Sequence, residues 1–474
     1  MPARKLSTRP QLFVDFEDVD QQENVTRQFH QAERPLDHPV LRGETPWEQY
    51  KGAAAGFIFD EEEQIYKVWY LGSLGYDEQT RHDRHVLCYA TSLDAIHWER
   101  PNLRLHQVLG SKENNVVIPE SYHDGMDHWE SVMKDPFDPD PERRYKALGW
   151  SSYGADLSPP CTGIYTATSP DGFTWRHPPE PIFWCQPRPG SNDLGPVGDV
   201  QGMMIDTLKR RYVAFLRGGG GRMISTSDDF VTWTPPKTVL WHANEEDLLY
   251  NQVGFPYGDH YLGFLTHLDR HAQRHMCTVQ LTMSRDGEQW QRAPSSPIIP
   301  VGDVGEWDRF LIMLTGAPPV RVGEKLHIYY RGFGMRHGGR TGQLDARLAL
   351  DDGHGEDSPA VGALGLATIR LDGFASINAS YDGGTLTTGP LEFTTDQLTI
   401  NVKADFGRVF VELLDETNTP LPGYSRAESI PIEENSVAAS VGWKTTRSLS
   451  PLQGRAVKIR FHLINARLYS YACR

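Results

Sequence analysis

The chain has 474 residues, a formal net charge of −15 and 39% hydrophobic residues, with 12 Trp, 19 Tyr and 19 Phe. This composition indicates a globular protein with a large core, and the acidic charge argues against binding to nucleic acid or to an anionic membrane surface. The start lacks the apolar core of a signal peptide, and no apolar run reaches the length of a membrane-spanning helix. Five scattered cysteines without metal-type spacing favour buried free thiols, so we expect a cytoplasmic protein.

Residues 1–49 form a lead-in to the repeated part of the chain. Their sequence predicts one strand over 12–19 and an extended, proline-bounded segment over 34–40. The sequence leaves open whether this lead-in closes the ring of repeats that follows.

A Ser-x-Asp-x-x-x-Trp motif recurs along the chain, with its aspartates 57 to 77 residues apart. The four copies are Ser92/Asp94/Trp98, Ser169/Asp171/Trp175, Ser227/Asp229/Trp233 and Ser284/Asp286/Trp290. A fifth, degenerate copy at 367–374 keeps Asp372 and Phe374 but lacks the Trp. Each copy follows a short β-rich run, so its Asp is expected to bond backbone N–H groups in a hairpin turn. Repeats near this length are typical of propellers, and we interpret the motif as architectural rather than catalytic.

Two further strands are predicted upstream of each motif, which gives five four-stranded units. Their ranges are 54–59 and 66–70, 130–134 and 144–148, 202–205 and 211–216, 252–256 and 260–265, and 314–320 and 325–330. We therefore predict an all-β protein with a five-bladed β-propeller over 50–386. Strictly alternating residues after this range, such as Leu398, Ile400 and Val402, predict a C-terminal β-sandwich over 387–474.

The propeller topology separates two faces. The starts of the inner strands share one face with the loops between second and third strands, whereas the repeated motif lies on the other face. Lys134-Asp135-Pro136 looks like a catalytic Arg-Asp-Pro motif, but Asp135 is in register with Asp60 and Asp206 in the turns after the inner strands. We interpret Asp135 as a turn residue.

Acidic residues stand at the starts of all five inner strands, where they converge on the central channel. They are Glu48, Asp127, Glu130, Asp199, Asp247 and Asp308. Carboxylates in one cavity repel each other unless they bind a cation or share protons, and this repulsion can raise one pKa for a general acid while another carboxylate stays ionised. We expect two or three of the five positions to accept backbone hydrogen bonds only.

The same face carries aromatic and basic residues suited to a carbohydrate. Trp47, Trp129 and Trp307 either stack on sugar rings or belong to the core, and Arg309 follows Asp308. Arginine and histidine can pair with carboxylates or bind sugar hydroxyls, a uronate or a phosphate. The loops supply Arg81, His82, Arg84, His85, Arg217, Arg222, Arg270, His271, Arg274, His275, Arg336, His337 and Arg340. We expect the glycine-rich stretch 336–357 to be a mobile loop beside the pocket.

A five-bladed propeller with acidic inner-strand starts and a C-terminal sandwich resembles the glycoside hydrolase family 32 and 68 clan, and is similar to families 43 and 130. The stretches 407–415, 365–377 and 468–471 resemble the family 32 sandwich and its connection to the propeller. The family 32 catalytic motifs Trp-x-Asn-Asp-Pro-Asn-Gly, Arg-Asp-Pro on an inner strand and Glu-Cys are not matched. By blade position, the resemblance implies Glu48, Glu130 and Asp199 as the catalytic carboxylates, with Asp127, Asp247 and Asp308 as alternates.

The resemblance implies a glycoside hydrolase acting on short oligosaccharides, such as fructo- or arabinofuranosides, through a general acid and a base or nucleophile. Glu48 or Asp199 would be the base or nucleophile, and the other of the two or Glu130 the acid. A glycoside phosphorylase, a polysaccharide lyase and a non-catalytic carbohydrate-binding propeller are the alternatives. We predict no cofactor and assign no metal site; Ca²⁺ among channel carboxylates and carbonyls is a weaker alternative, because no ligand spacing argues for it, and the use of phosphate or a metal stays open. The sugar, the anomeric outcome and a homo-oligomer stay open.

Overall fold

The computed structural model describes residues 3–48, 53–77, 82–120, 126–151, 162–185, 197–271, 275–294, 296–334, 336–337 and 362–474. Strands dominate these ranges, and short 3-10 turns such as Pro141–Arg143 and Ser450–Leu452 interrupt them. Across the described ranges we find no helix long and apolar enough to cross a membrane. Arg81, Arg274, Arg340 and most of the predicted loop at 336–357 fall outside the described residues.

Mainly antiparallel sheets follow one another between residues 53 and 370 and form the blades of a propeller, and blades 4 and 5 are joined by one parallel pair, Cys277 with Leu311. The strands of blades 1 to 4 are Ala53–Asp60, Ile65–Asp77, His82–Ser92 and Val116–Ile118; His128–Lys134, Tyr145–Ser151, Gly163–Ser169 and Phe183–Trp184; Gly202–Asp206, Arg211–Gly218, Gly221–Ser227 and Lys237–Trp241; and Asp247–Tyr257, His260–Asp269, Met276–Ser284 and Gln291–Arg292. Within each blade the strands pair in sequence order, and the first strands contact one another from blade to blade as an inner ring. The predicted all-β fold, a five-bladed propeller followed by a sandwich, is confirmed.

Blade 5 departs from the predicted strand pattern. In place of one inner strand over 314–320, Leu311–Leu314 and Val320–Val322 both pair with Lys325–Phe333, which in turn pairs with Ala363–Arg370. Two prolines, Pro318 and Pro319, interrupt the inner strand because proline cannot donate to the ladder. At Gly316 the chain passes so close to blade 2 that an added Cβ would lie 1.5 Å from the Glu130 carbonyl oxygen.

The lead-in continues along the outer edge of blade 5. The N–H of Glu33 donates to the carbonyl of Thr368 at 2.8 Å, and the N–H of Thr368 donates back at 2.7 Å. Farther along, the N–H of Val40 donates to the carbonyl of Leu364 at 2.8 Å. The N-terminal segment therefore pairs with the last blade.

The sandwich combines both ends of the described chain. One sheet contains Gln11–Leu12, Thr26–Phe29, Ala375–Ala379, Leu398–Lys403, Asn435–Ser440 and Ala466–Cys473, and the other contains Val19–Glu23, Gly384–Thr388, Arg408–Leu414 and Lys458–Ile464. Arg4–Leu6 pairs in parallel with Leu391–Phe393. By strand pairing, the sandwich thus includes strands from residue 375 onward and four strands of the lead-in, whereas we had predicted it over 387–474.

The strand predicted over 12–19 is wrong, because the chain bends between Gln11–Leu12 and Val19–Glu23. Asp15 lies in this bend and reaches blade 4. Its carboxylate accepts hydrogen bonds from Arg285 Nε at 2.8 Å and lies 2.9 Å from His260 Nε2. The bend thus ties the lead-in to the propeller.

All four copies of the repeated motif form the same turn. Serine Oγ and aspartate Oδ1 lie 2.9–3.0 Å apart, and the same Oδ1 accepts two backbone N–H bonds of 2.7–2.9 Å. The residue after each aspartate has a positive φ, as at Gly172 with φ +80°. In that copy the Gly172 carbonyl also accepts a hydrogen bond from Trp69 Nε1, a fully buried indole between blades 1 and 2. The architectural interpretation of the motif is confirmed.

A second repeated contact links each of the first three blades to the next. An aspartate in the turn after the inner strand accepts a hydrogen bond from a tyrosine hydroxyl of the following blade. The pairs are Asp60–Tyr145 (3.3 Å), Asp135–Tyr212 (2.5 Å) and Asp206–Tyr261 (3.0 Å). Asp135 also caps its own turn, because its Oδ1 accepts from the N–H groups of Phe137 and Asp138 at 3.0 and 3.3 Å. The contacts of Asp135 are therefore those of a turn residue, as we had interpreted it from the sequence.

The cysteines divide into two groups. Cys88, Cys277 and Cys473 are buried and free, as predicted. Cys185 is disulfide-bonded, so the prediction of a free thiol is wrong at this position. A disulfide in the chain removes the basis on which the cysteines indicated a reducing compartment.

Candidate active site

Two of the predicted catalytic carboxylates, Glu130 and Asp199, lie on neighbouring blades and interact electrostatically with each other. Glu130 is on the inner strand of blade 2, where its Oε1 accepts a hydrogen bond from Trp150 Nε1 at 2.9 Å. Asp199 precedes the inner strand of blade 3 and accepts a hydrogen bond from Arg217 Nη1. Desolvation raises the pKa of Glu130, and Asp199 adds to the rise, whereas Trp150 and His128 oppose it. The two carboxyl groups therefore have unlike partners, one a neutral indole and the other a guanidinium.

The backbone next to Asp199 is strained. Val200 has a φ of +65°, a left-handed conformation that a β-branched residue adopts only when its surroundings impose it. Gln201 supplies the constraint, because its side-chain amide donates to the Gly198 carbonyl and its Oε1 accepts from the Arg217 N–H at 3.1 Å. Strain of this kind costs about 1–3 kcal/mol and concentrates at functional sites. The loop thus holds Asp199 in a fixed position.

Arg222 lies fully buried behind the carboxylate pair. Its guanidinium donates to the carbonyls of Tyr250 and Phe215 at 2.9 Å each, and to that of Val200 at 3.3 Å. Burial, and after it the charge of Arg217, lowers the pKa of Arg222 to about 9, while the two carboxylates act in the opposite direction. Arg222 therefore ties the strained loop of blade 3 to the inner strand of blade 4.

A histidine and a tyrosine complete this side of the site. His337 Nε2 lies 3.1 Å from the Tyr250 hydroxyl, with the two rings edge to face at 5.1 Å. The Arg217 guanidinium lies 5.0 Å from the centroid of the Tyr250 ring. Burial, followed by the charge of Arg270, lowers the pKa of His337 to about 4, so the imidazole is neutral at pH 7. The structure thus brings the predicted binding residue His337 to the carboxylate pair.

The ligand atoms of His85, Asp127 and His128 lie within 4.8 Å of one another. His85 and Asp127 are buried, with 7% and 6% of their surface exposed. His128 Nδ1 is 3.1 Å from Asp127 Oδ1, and its ring stacks on the indole of Trp150 at 3.7 Å. This indole also bonds Glu130, so the predicted binding residue Asp127 belongs to the same neighbourhood.

Glu48, the third predicted catalytic carboxylate, is placed apart from this pair. It is 1% exposed and its Oε1 binds the Tyr70 hydroxyl and Arg100 Nε, the latter at 2.8 Å. Its Oε2 accepts the backbone N–H groups of Glu44 and Thr45 at 2.9 and 3.1 Å. These four bonds hold Glu48 within blade 1.

Asp247 and Asp308 are also held by structural partners. Arg292 Nη1 donates to both oxygens of Asp247 at 2.8 and 3.1 Å, and the Ala243 N–H donates to one of them at 2.9 Å. Arg34 of the lead-in donates to both oxygens of Asp308 at 3.1 Å. These partners are mainly arginine side chains, whereas we had expected two or three of the five positions to accept backbone hydrogen bonds only.

The predicted tryptophans behave mainly as core residues. Trp129 is 5% exposed and packs edge-on against Trp175 at 5.1 Å, and Trp47 packs on the core of blade 1. Trp307 is partly exposed, and its ring is parallel to that of Tyr330 at 6.1 Å. Among the three, Trp129 is the one whose burial rules out stacking on a sugar ring.

The two predicted binding arginines of blade 5 stack on one ring. The guanidinium groups of Arg309 and Arg336 lie 5.0 and 4.9 Å from the centroid of Phe310. Burial lowers the pKa of His275, and the charges of Arg270 and then Arg336 lower it further. Arg336 therefore stands on the His337 side of the site.

Sequence reasoning did not single out Trp150 or Gln201. Trp150 ends the second strand of blade 2, and Gln201 follows the strained Val200. The signal that could have found Trp150 is its position, because the end of a second strand lies on the face where the inner strands start. No comparable signal marks Gln201, since positive φ at a valine is invisible in the sequence.

The two carboxyl groups interact electrostatically, and hydrogen-bond donors lie beside them. Glu130 faces a neutral donor and can carry a proton, whereas Asp199 is paired with a cation and can act as an anion. Arg217 and the His337–Tyr250 pair add donors at the same place. Such a set suits proton transfer to and from a polyhydroxylated substrate.

Comparison with known proteins gives short and distant matches. No protein-family model matches the chain. Uncharacterized protein MT1551 of Mycobacterium tuberculosis (strain CDC 1551 / Oshkosh) is 30% identical over 111 residues, and Uncharacterized protein Rv1502 of strain H37Rv is 31% identical over 112 residues. Each match covers 23% of this chain and 29% of the relative, so the chain matches less than a third of the length of these relatives.

Solved structures show a looser likeness over a larger part of the chain. A glycosyl hydrolase from Bacteroides ovatus is 14% identical, with a TM-score of 0.47 over 72% of this chain and 94% of its own. A further glycoside hydrolase is 13% identical, with a TM-score of 0.48 over 71% and 92%. A structure from the GH130 family of mannoside phosphorylases, which contains glycoside hydrolases that target β-1,2 mannosidic linkages in Candida mannan, is 11% identical, with a TM-score of 0.45 over 75% and 95%.

Proposed function

We propose that this protein is a glycoside hydrolase that cleaves short oligosaccharides in the propeller channel. The observation that supports it is the pairing of Glu130 and Asp199 at the starts of two neighbouring inner strands, with unlike hydrogen-bond partners. Hydrolysis of a glycosidic bond needs one carboxyl group that donates a proton and one that attacks or activates water. Two carboxylates in different environments can divide these roles.

Glu130 is the proposed general acid. The Trp150 N–H that it accepts is neutral, and burial raises the pKa of Glu130, which favours the protonated form. In the reaction, Glu130 would give its proton to the leaving oxygen as the glycosidic bond breaks.

Asp199 is the proposed base or nucleophile. Its bond to Arg217 and its position on the rigid loop at Val200 keep the carboxylate oriented. It would either take a proton from the attacking water or attack the anomeric carbon directly, and the product anomer distinguishes these routes. With Glu48 held inside blade 1, the pair of Glu130 and Asp199 replaces the three-carboxylate set that blade position implied.

Phosphorolysis is a second candidate, because arginines accumulate on one side of the pair. Arg217 binds Asp199 directly, while the charges of Arg270 and Arg336 reach the neighbouring histidines His337 and His275. Guanidinium groups bind phosphate through two parallel N–H bonds. In this mechanism, phosphate would take the place of the attacking water.

The test is turnover of a panel of nitrophenyl glycosides, fructo-oligosaccharides and arabino-oligosaccharides, with and without inorganic phosphate. Glu130→Gln and Asp199→Asn are each expected to lower kcat/KM by about 10²–10⁴-fold. Glu245→Gln is the matched control, because Glu245 is exposed and precedes the inner strand of blade 4. Equal activity in all three variants would contradict the assignment, and turnover that requires phosphate would favour the phosphorylase.

A further inference from the structure

We propose that His85, Asp127 and His128 form a binding site for one divalent transition-metal ion beside the candidate carboxylate pair. The three residues come from two blades. His85 is on the third strand of blade 1, and Asp127 and His128 are at the start of the inner strand of blade 2. The fold therefore assembles the site from segments that are about forty residues apart in sequence.

The distances fit a shared ion. One ligand atom of each residue lies within 4.8 Å of the other two, and the Asp127 Oδ1 to His128 Nδ1 distance is 3.1 Å. Ligand atoms at roughly 2.0–2.2 Å from one ion lie about 3 Å apart when they occupy adjacent positions. The His85 and His128 rings meet at 82° with centroids 4.3 Å apart, so both imidazoles reach the same small volume. A small side-chain rotation closes the remaining distance.

The chemical type of the three side chains indicates which metal ions the site would prefer. Two imidazoles and one carboxylate suit Zn²⁺, Mn²⁺ or Fe²⁺, whereas Ca²⁺ and Mg²⁺ prefer sites made of oxygen atoms alone. Three protein ligands also leave coordination positions open, as in catalytic rather than structural metal sites. The open positions would take water or hydroxyl oxygens of a bound sugar.

Neighbouring groups hold the ligands in place. The His128 ring stacks on Trp150 at 3.7 Å with an interplanar angle of 18°, and the Trp150 N–H is fixed by its bond to Glu130. Groups that orient a ligand in this way typically raise the affinity for a metal. The same indole joins the proposed metal site to the candidate carboxylate pair, so an ion here would lie next to the substrate channel.

The experiment measures metal binding on the full chain and needs no substrate. Protein stripped with a chelator is titrated with Zn²⁺ and, separately, Mn²⁺ by calorimetry, and the bound metal is counted by elemental analysis. Close to one ion per chain is expected for at least one of the two metals. His85→Gln and Asp127→Asn are each expected to weaken binding by about 100-fold or more. His128→Phe removes the ligand but keeps a ring to stack on Trp150, and it should have the same effect.

His97→Gln is the matched control, because His97 Nδ1 contacts Asp94 Oδ2 at 2.6 Å in an exposed histidine–aspartate pair without a third ligand. This variant should bind metal as the wild type does, and circular dichroism checks the fold of every variant. Substoichiometric metal, or equal affinity in all variants, would overturn the proposal, as would binding of Ca²⁺ in preference to Zn²⁺ and Mn²⁺. Because the readout is metal content, the result stands whether or not glycosidase activity is found.

Discussion

Replacing Asp135 by asparagine tests whether Asp135 is a structural turn residue or a catalytic residue. Asp135 and Lys146 are both fully buried, and Asp135 Oδ2 lies 3.2 Å from Lys146 Nζ and 2.5 Å from the Tyr212 hydroxyl. The substitution keeps the shape and the Oδ1 that caps the turn, but it removes the charge that faces the lysine. We therefore expect loss of stability with the active site left intact.

The expected loss of stability depends on which partners Lys146 keeps after the substitution. Removing one partner of an isolated buried ion pair costs about 3–5 kcal/mol. Lys146 also bonds Asp138 at 2.7 Å, so its charge stays compensated after the change. The amide Nδ2 that replaces Oδ2 cannot accept from Lys146 or from the Tyr212 hydroxyl, so one charged and one neutral hydrogen bond are lost, and we expect Asp135→Asn to lower the free energy of unfolding by about 2–4 kcal/mol.

The measurement is urea denaturation followed by tryptophan fluorescence, with separate transitions fitted for the propeller and the sandwich. A double-mutant cycle with Lys146→Met gives the coupling energy of the pair. Glu433→Gln is the control, because its ion pair with Arg408 is half exposed and should contribute less than about 0.5 kcal/mol. Coupling near zero, or lost activity at unchanged stability, would refute the turn assignment and restore the catalytic interpretation of Lys134-Asp135-Pro136.

Two further stability predictions concern the repeated motif and the lead-in. Gly172→Ala should destabilise the protein by about 2–4 kcal/mol, because the residue has φ +80° and an added Cβ would lie 2.5 Å from the Trp69 ring. Gly454→Ala, with φ +73° and open space around it, should cost only about 1 kcal/mol in the same thermal melts. Burial alone would lower the pKa of His260, but its bonds to aspartates such as Asp15 hold that pKa above 6.5. The contribution of protonated His260 to the free energy of unfolding is therefore full below pH 6.5 and is lost as the pH rises through the folded-state pKa. Between pH 6 and 9, the wild type should lose more stability than His260→Gln. Parallel pH profiles of the two proteins would contradict this.

The repeated motif predicted the fold well because the contacts within each copy join residues that are close in sequence. The Ser-x-Asp-x-x-x-Trp turns and the Asp135-type turns each depend on residues close in sequence, so the spacing of these motifs located the blades. Blade 5 was the exception, since the two halves of its inner strand are divided at Pro318 and Pro319. Those prolines were visible in the sequence, but the prediction of a single strand over 314–320 did not take them into account.

The candidate site was predicted only in part, because the position of a carboxylate along a blade does not reveal which side chains from distant parts of the sequence contact it. Glu48, Asp308 and Glu130 occupy comparable places at the starts of inner strands. Arg100 comes from beyond the third strand of blade 1 to bind Glu48, and Arg34 comes from the lead-in to bind Asp308. Glu130 accepts a hydrogen bond from the neutral indole of Trp150, which belongs to its own blade. The sequence alone therefore could not distinguish the candidate catalytic carboxylates, because the arginines that bind Glu48 and Asp308 are distant from them in sequence.

The sharing of strands between the lead-in and the sandwich has a consequence for biosynthesis. The strands Val19–Glu23 and Thr26–Phe29 leave the ribosome early, but their partners Gly384–Thr388 and Ala375–Ala379 are made after all five blades. Pairing across so many residues has a large loop-closure cost and is slow. The propeller can therefore assemble first, and completion of the sandwich then joins the lead-in to the strands that follow the last blade.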